Sequence, residues 1–290
     1  MPELPEVEVT RRLLGPRVVG RRIQSVRCGP PSYFFLTPPR RLVVALTGQA
    51  ITSLERQGKY LLMGLEQGQR LLLHLGMTGQ LFMAGAVSPR LMSLASHATP
   101  DTQRGAGARD PHTHLELEFE DGPPGLRFRD VRKFGKVRLL APGQSDARLE
   151  KLGRDALQAD GELLFTQARR RSVPVKTLLL DQGVLAGVGN IYADEALFLS
   201  GIRPTRGARR VTRKEYLVLA ENVQRVLARS IETGGSSISD FIAPDGSDGQ
   251  FQKERKVYAR EGEACPTCSA TIVRTVIGQR SSHYCPACQR

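Results

Sequence analysis

The sequence predicts an α+β chain of several domains: an N-terminal antiparallel β-sandwich led by a helix, a mainly helical middle, and a C-terminal β-hairpin framed by cysteines. Three observations predict it. The first 140 residues break into short apolar runs separated by Gly and Pro turns. Beyond Asp146 the apolar residues recur at helical spacing. Four of the five cysteines lie near the end of the sequence, in Cys265-Pro266-Thr267-Cys268 and Cys285-Pro286-Ala287-Cys288. The expected boundaries are 1–140, 141–257 and 258–290, with Ala141–Asp146 as a hinge-like linker.

At 290 residues and 40% hydrophobic content the chain can bury more than one core, which excludes a disordered protein. A net charge of +13 points to a polyanionic partner, since Lys and Arg that neutralise phosphates release counterions. The basic residues are spread along the chain and do not line one amphipathic helix, which favours nucleic acid over a membrane surface. No run of 18 apolar residues and no signal peptide is present, so a soluble intracellular protein is expected.

The first element opens Met1-Pro2-Glu3-Leu4-Pro5-Glu6-Val7-Glu8. Pro5 suits the first turn of a helix running to about Leu14, which leaves Pro2 and Glu3 just ahead of its positive end. If Met1 is removed, Pro2 exposes a secondary amine able to form an iminium with a sugar carbon. An α-amino group titrates near pH ~8 against ~10.4 for lysine, so a useful share is unprotonated at neutral pH. The plain alternative is that Glu3, Glu6 and Glu8 are ordinary helix-start acids.

Strands follow. Val18–Val26 reads as one, and Leu42–Leu46 with Ala50–Leu54 as a hairpin around Thr47-Gly48-Gln49. Tyr60–Leu65 and Arg70–Leu75 flank Glu66-Gln67-Gly68-Gln69, and His114–Glu120 pairs with Leu126–Arg129. Ala84–Pro111, rich in Gly, Ala, Ser, Thr and Pro, reads as a mobile surface insertion.

Helices are expected over Glu162–Arg171, Val175–Gln182, Tyr192–Leu199 and Thr212–Thr233. Between them Gly187-Val188-Gly189-Asn190-Ile191-Tyr192-Ala193 is a Gly-rich turn entering a helix, a place where backbone N–H groups can approach a phosphate. It can equally be just a tight turn. Gly234–Gln252 is a polar loop suited to a lid. The pattern Cys-x2-Cys-x16-Cys-x2-Cys suits one closed, structural tetrahedral zinc site formed by Cys265, Cys268, Cys285 and Cys288. The hairpin between the knuckles, Thr271–Ile277 with Ser281–Tyr284, carries Arg280 near its tip, and Cys28 is left as a buried or inert thiol.

Taken together, the Pro2–Glu8 opening, the Gly187–Ala193 phrase and the four-cysteine tail resemble the formamidopyrimidine-DNA glycosylase family of bacterial repair enzymes for oxidised purines. The resemblance spans nearly the whole chain. It implies a β-sandwich with its N-terminal helix, a helix-two-turn-helix domain and a zinc-finger hairpin, binding damaged double-stranded DNA as a monomer. No obligate protein partner and no membrane are implied, and the place of action is the bacterial cytoplasm, at the nucleoid. Pro2 resembles the nucleophile, Glu3 the acid that protonates the sugar ring oxygen, and Glu6 a supporting acid. Lys59, in Gly58-Lys59-Tyr60, looks like the proton donor of β-elimination and Arg280 like the arginine of δ-elimination.

The resemblance further implies a wedge for the hole left by an extruded nucleotide, and His74-Leu75-Gly76-Met77 with Arg132-Lys133-Phe134-Gly135 would supply it as Met77, Arg132 and Phe134. Core packing is the plain alternative for Met77 and Phe134. His74, Asn190, Tyr258 and Arg280 resemble phosphate binders, and His112, Arg132 and Arg171 further DNA contacts. One departure concerns the usual Asp-Pro-Arg-Arg-Phe-Gly, which reads here as Asp130-Val131-Arg132-Lys133-Phe134-Gly135 and loses a loop-stiffening proline. Two rival readings remain. A related endonuclease VIII type would prefer oxidised pyrimidines, and a non-enzymatic nucleic-acid binder would leave Pro2, Glu3 and Lys59 without a role.

Overall fold

A computed structural model describes residues 2–88, 110–238 and 241–290. It divides into two compact units, Met1–Asp146 with Gly234–Gln250, and Ala147–Thr233 with Phe251–Arg290. The loop expected to serve as a lid thus groups with the sandwich and not with the helices that flank it in sequence. Most of the Ala84–Pro111 insertion lies outside the described residues.

The first unit opens with α1 (Leu4–Val18), longer than expected because Leu14 and Val18, one turn apart, are both fully buried and carry the helix past Gly15-Pro16. The strand expected from Val18 therefore starts later, as β1 (Ile23–Cys28). The expected first strand of the Thr47-Gly48-Gln49 hairpin is a helix, α2 (Pro39–Leu46). Pro39 presets the first helical turn, and the apolar run that follows fits either periodicity. Burial decides it: Leu42 and Leu46 are buried while Val44, which would share their face in a strand, is 81% exposed.

The remaining strands are β2 (Ile51–Gln57), β3 (Tyr60–Leu65), β4 (Arg70–His74), β5 (Gly79–Met83), β6 (Thr113–Phe119), β7 (Leu126–Asp130) and β8 (Lys136–Leu140). They form two four-stranded antiparallel sheets, β1-β6-β7-β5 and β2-β3-β4-β8. Alternate residues face inward: Leu61, Met63 and Leu65 from one sheet, and Leu115, Leu117 and Phe119 from the other, share one apolar cluster. The two hairpins with Gly-containing turns stand where the sequence places them, whereas β5 and β8 were not expected.

In the second unit α3 (Gly161–Arg169) is capped by Asp160, and α4 (Val175–Leu180) and α5 (Asn190–Leu199) precede the long α6 (Arg213–Glu232). Thr212 and Glu215 close a capping box on α6. A Cβ at Gly161 would lie 2.5 Å from Leu217 Cα, so α3 and α6 touch at a glycine. The hairpin β9 (Val273–Ile277) and β10 (Arg280–Tyr284) ends the chain, with β10 against α5. No helix among the described residues is long and apolar enough to cross a membrane.

Candidate active site and nucleic-acid interface

Pro2, Glu3 and Glu6 are buried at the head of α1. Glu3 is the N-cap; its side chain accepts the Glu6 N–H, and Glu6 Oε2 accepts the Glu3 N–H at 2.8 Å. The helix-start reading of these acids is therefore met, and any chemistry is additional to it. Glu6 Oε1 accepts the Ser236 N–H at 2.8 Å, tying the helix start to the 234–250 segment. Gly235, at φ 84, lets that segment come close: a Cβ there would stand 3.2 Å from Glu6 Oε1.

Glu8, one turn on, accepts from Arg11 and Arg12 at 2.8 Å and from Arg56 at 3.0 Å. Burial raises its carboxyl, but the three guanidiniums outweigh burial and bring it down to about 2. Arg56 also donates to Gly58 O at 3.1 Å, so one guanidinium joins α1 to the turn that carries Lys59. Gly58 (φ 57) and Lys59 form that two-residue turn between β2 and β3, and Lys59 is buried.

The wedge candidates occupy two loops that lean on each other. Met77 is 37% and Phe134 40% exposed, which removes core packing as their explanation. Gly76 (φ 65) sits so close to the second loop that a Cβ would lie 2.4 Å from Gly135 N. The fully buried Asp130 organises both: Oδ1 accepts from the Thr78 hydroxyl and from Arg132 N at 3.2 Å, and Oδ2 from Gly135 N at 2.6 Å. Thr78 Oγ1 accepts a second bond from Arg132 N at 3.1 Å. The loop that lacks its proline is therefore held by a carboxylate. Arg132 lies 4.6 Å over the Phe134 ring.

His74, at the end of β4, accepts the Gly76 N–H on Nδ1 at 3.1 Å, which assigns its proton to Nε2. His112 is half-buried beside Asp130, whose N–H donates to His112 O at 2.8 Å. His114 Nε2 bonds the Asp130 carbonyl at 2.8 Å; burial lowers its pKa and keeps it neutral near pH 7.

In the second unit the Gly187 turn is held from within, since Gly187 N donates to Gln182 Oε1 at 3.0 Å. Asn190 starts α5, yet one amide hydrogen goes to Ser281 O at 3.0 Å, which also accepts Lys176 Nζ at 2.8 Å. Lys176 pairs at 2.7 Å with Asp194, both fully buried, and Asp194 accepts from Ser282 Oγ at 3.0 Å and His283 N at 2.9 Å. Two helices thereby fix the strand that begins with the exposed Arg280. Gly278 and Gln279, both at positive φ, make the turn before it. Glu195 accepts the N–H groups of Lys256, Val257 and Tyr258 at 2.7, 3.0 and 2.8 Å, which positions Tyr258. Burial pushes the Glu195 carboxyl up and the three N–H donors oppose that. Arg171 is committed to Gln167 O at 3.2 Å and Asp181 at 3.5 Å, so a contact with DNA would compete with both.

The four thiols fit a zinc ion. All Sγ atoms lie within 4.8 Å of one another, with separations of 3.9 Å (Cys265–Cys288), 3.4 Å (Cys268–Cys285) and 3.3 Å (Cys268–Cys288). A tetrahedron with Zn–S near 2.3 Å has S–S edges of about 3.8 Å. Thr267 N and Cys288 N each approach a sulfur at 3.4 Å, the donors a thiolate needs. With every position filled by sulfur, this is a structural zinc site. Thr78, Arg56, Asp194 and Lys176 lie in no motif singled out in the sequence; Asp130 opens the Asp130–Gly135 phrase and Thr78 follows Met77, which is the signal that could have found those two.

Comparison with known proteins agrees with this geometry along the whole chain. Residues 1–137 match the formamidopyrimidine-DNA glycosylase N-terminal domain, 152–242 its H2TH domain, and 262–290 the zinc finger found in FPG and IleRS. The formamidopyrimidine-DNA glycosylase of Hahella chejuensis is 42% identical over 293 residues, covering 100% of both chains, and that of Pseudomonas aeruginosa is likewise 42% identical. Among solved structures, the MutM (FPG) protein of Thermus thermophilus has a TM-score of 0.83 at 37% identity, covering 99% of this chain and 98% of that one. A Lactococcus lactis FPG variant in complex with Fapy-dG containing DNA has a TM-score of 0.86 at 33% identity, covering 100% of each. MutM in complex with carbocyclic 8-oxo-G containing DNA has 0.85 at 34%, again covering both completely. With its sandwich, helical domain and four-cysteine hairpin all matched in order, the chain belongs to the formamidopyrimidine-DNA glycosylase family.

Proposed function

We propose that the chain is a bifunctional DNA glycosylase and AP lyase that removes oxidised purines, 8-oxoguanine and formamidopyrimidines, from duplex DNA and then cuts the strand. The observation that carries this is the buried Glu3–Glu6 pair directly behind an imino acid at position 2. With Met1 removed, the Pro2 amine attacks C1′ of the damaged nucleotide and the base leaves with the electrons of the glycosidic bond. Glu3 protonates the ring oxygen as the C1′–O4′ bond opens, which leaves an iminium on Pro2. Glu6 fixes the Glu3 backbone. The iminium acidifies C2′, and loss of a C2′ proton expels the 3′ phosphate with Lys59 as proton donor. A second elimination, which Arg280 assists, expels the 5′ phosphate, and water then releases Pro2.

Met77, Arg132 and Phe134 fill the stack and face the orphaned base, offsetting the few kcal/mol that extrusion costs. His74, Asn190, Tyr258 and Arg280 hold phosphates, with His112 and Arg171 as further contacts. The domains we assign to these tasks are 1–140, 141–257 and 258–290. Solved relatives bound to Fapy-dG and 8-oxo-G DNA support the purine preference. We take the chain to act as a monomer at the nucleoid; the relatives are bacterial, which supports a place in the bacterial cytoplasm. Borohydride trapping on 8-oxoguanine duplex, followed by peptide mapping, should place the adduct on Pro2. An adduct on a lysine would refute the nucleophile, and faster excision of thymine glycol would refute the substrate class.

A further inference from the structure

Tyr33 is 56% exposed, yet every polar and ring contact the structure gives it goes to one loop and its flank. Its hydroxyl donates to the Arg132 carbonyl at 2.6 Å. Its ring centroid stands 6.4 Å from that of Phe134, and Lys136 Nζ lies 4.8 Å over its face. The ring rises from an anchored base. Phe34 and Phe35 are buried next to it, Phe34 O accepts from Val137 N at 3.0 Å, and Leu36 N donates to Val137 O at 2.9 Å. Tyr33 is thus mounted on β8 and reaches out over the loop 131–135.

That loop contains a strained residue. Lys133 has φ 60, the left-handed region that side chains with a Cβ disfavour and that persists only where the surroundings enforce it. The conformation turns Arg132 and Phe134 to the same side, where the guanidinium stacks on the ring. Both ends of the Arg132–Lys133 peptide are tied: its N–H to Asp130 O at 3.4 Å and its C=O to Tyr33 Oη. Asp130 and Thr78 secure the neighbouring N–H groups, but the carbonyl side rests on Tyr33.

We propose that Tyr33 is a positioning residue for duplex entry: it locks the left-handed peptide at Lys133, so that Arg132 and Phe134 meet the DNA already stacked. It does for this loop what a proline at position 131 would do by covalent restraint. This rests on the wedge reading given above.

Tyr33→Phe deletes only the hydroxyl. It should slow single-turnover excision of 8-oxoguanine from duplex about 3- to 10-fold, the range expected for one lost hydrogen bond, and leave cleavage at a preformed abasic site within about twofold. Rescue separates positioning from mere packing. Asn tolerates the left-handed region and Gln does not, while both remove the same charge. Tyr33→Phe with Lys133→Asn should therefore excise faster than Tyr33→Phe with Lys133→Gln. Wild-type excision by Tyr33→Phe, equal losses on both substrates, or no difference between the two double variants would each overturn the proposal. Phe134→Ala run in parallel tests the wedge itself: normal excision there would remove the wedge reading and this inference with it, whereas a slow Phe134→Ala beside a normal Tyr33→Phe would remove only the inference.

Discussion

Each unit holds out an exposed cationic tip, and the two are anchored by different physics. In the first, Arg132 and Phe134 are held by a hydrogen-bond clamp made of Asp130, Thr78 and Tyr33. In the second, Arg280 stands on a hairpin whose base is a four-thiolate zinc site and whose flank is a buried ion pair. A hairpin of so few residues buries too little apolar surface to fold by itself, so the metal supplies what a core supplies elsewhere. The sandwich already provides a rigid platform, and there a few hydrogen bonds worth about 1 kcal/mol each are enough to choose a loop conformation.

Removing zinc is the strongest way to break the comparison. Structural zinc contributes on the order of 10 kcal/mol to units of this kind. Cys268→Ser, or chelation, should abolish DNA binding while the β-sandwich keeps its thermal transition. Circular dichroism melting and a gel-shift assay check this; normal DNA affinity in the variant would contradict it. Next comes the ion pair. Asp194→Ala leaves Lys176 charged and buried without its partner and removes the acceptor for Ser282 and His283, a loss of about 3–5 kcal/mol. Amide hydrogen exchange should quicken across β10 and remain unchanged in β2 and β3.

How readable each anchor is in sequence follows from the same difference. The zinc site is local: two Cys-x2-Cys knuckles state it outright. The hairpin around Gly68 is also legible, because alternation and a turn residue lie within a dozen positions, whereas Ala50–Leu54 pairs with Tyr60–Leu65 and not with the segment before Thr47. The clamp is not, since Thr78 and Asp130 are 52 residues apart and meet only after β5 and β7 pair. A strand is expected at α2 because Leu42-Val43-Val44-Ala45-Leu46 satisfies either period, and only packing distinguishes the two. At the site, Pro2 is legible from its imino chemistry and the roles of Glu3, Lys59 and Arg280 come through a resemblance, while the residues that hold Lys59 and Arg280, namely Arg56, Lys176 and Asp194, emerge from geometry alone.

Acid should then act on the sandwich through Glu8. Its carboxyl sits at about 2 in the folded chain against an ordinary 4.5, so its contribution is complete above pH 4.5 and is lost as pH falls toward 2. The full difference is about 3 kcal/mol. Urea denaturation from pH 6 to 2.5 should show a falling midpoint, and Glu8→Gln should be less stable at pH 6 and show a flatter profile. An unchanged slope in the variant would mean that other carboxylates carry the acid sensitivity.

Met77→Ala is the smallest change to folding and the sharpest test of what the clamp is for. The side chain is 37% exposed, so truncation should cost stability only about 1 kcal/mol or less, far below the 2–5 kcal/mol of a buried methionine. Its loss should appear in function. An intact duplex must lose stacking when a nucleotide leaves, and an apolar plug recovers part of that; a duplex that already carries a gap has no such stacking to lose. Excision from intact 8-oxoguanine duplex should therefore slow about tenfold while affinity for the gapped duplex changes little, a difference of about 1.4 kcal/mol between the two substrates. Asp130→Asn should reproduce the same asymmetry by a different route, because it leaves Met77 in place but weakens the carboxylate that holds the opposing loop. If Met77→Ala instead lost several kcal/mol of stability and weakened both substrates equally, its exposure would be incidental and the side chain would belong to the sandwich after all.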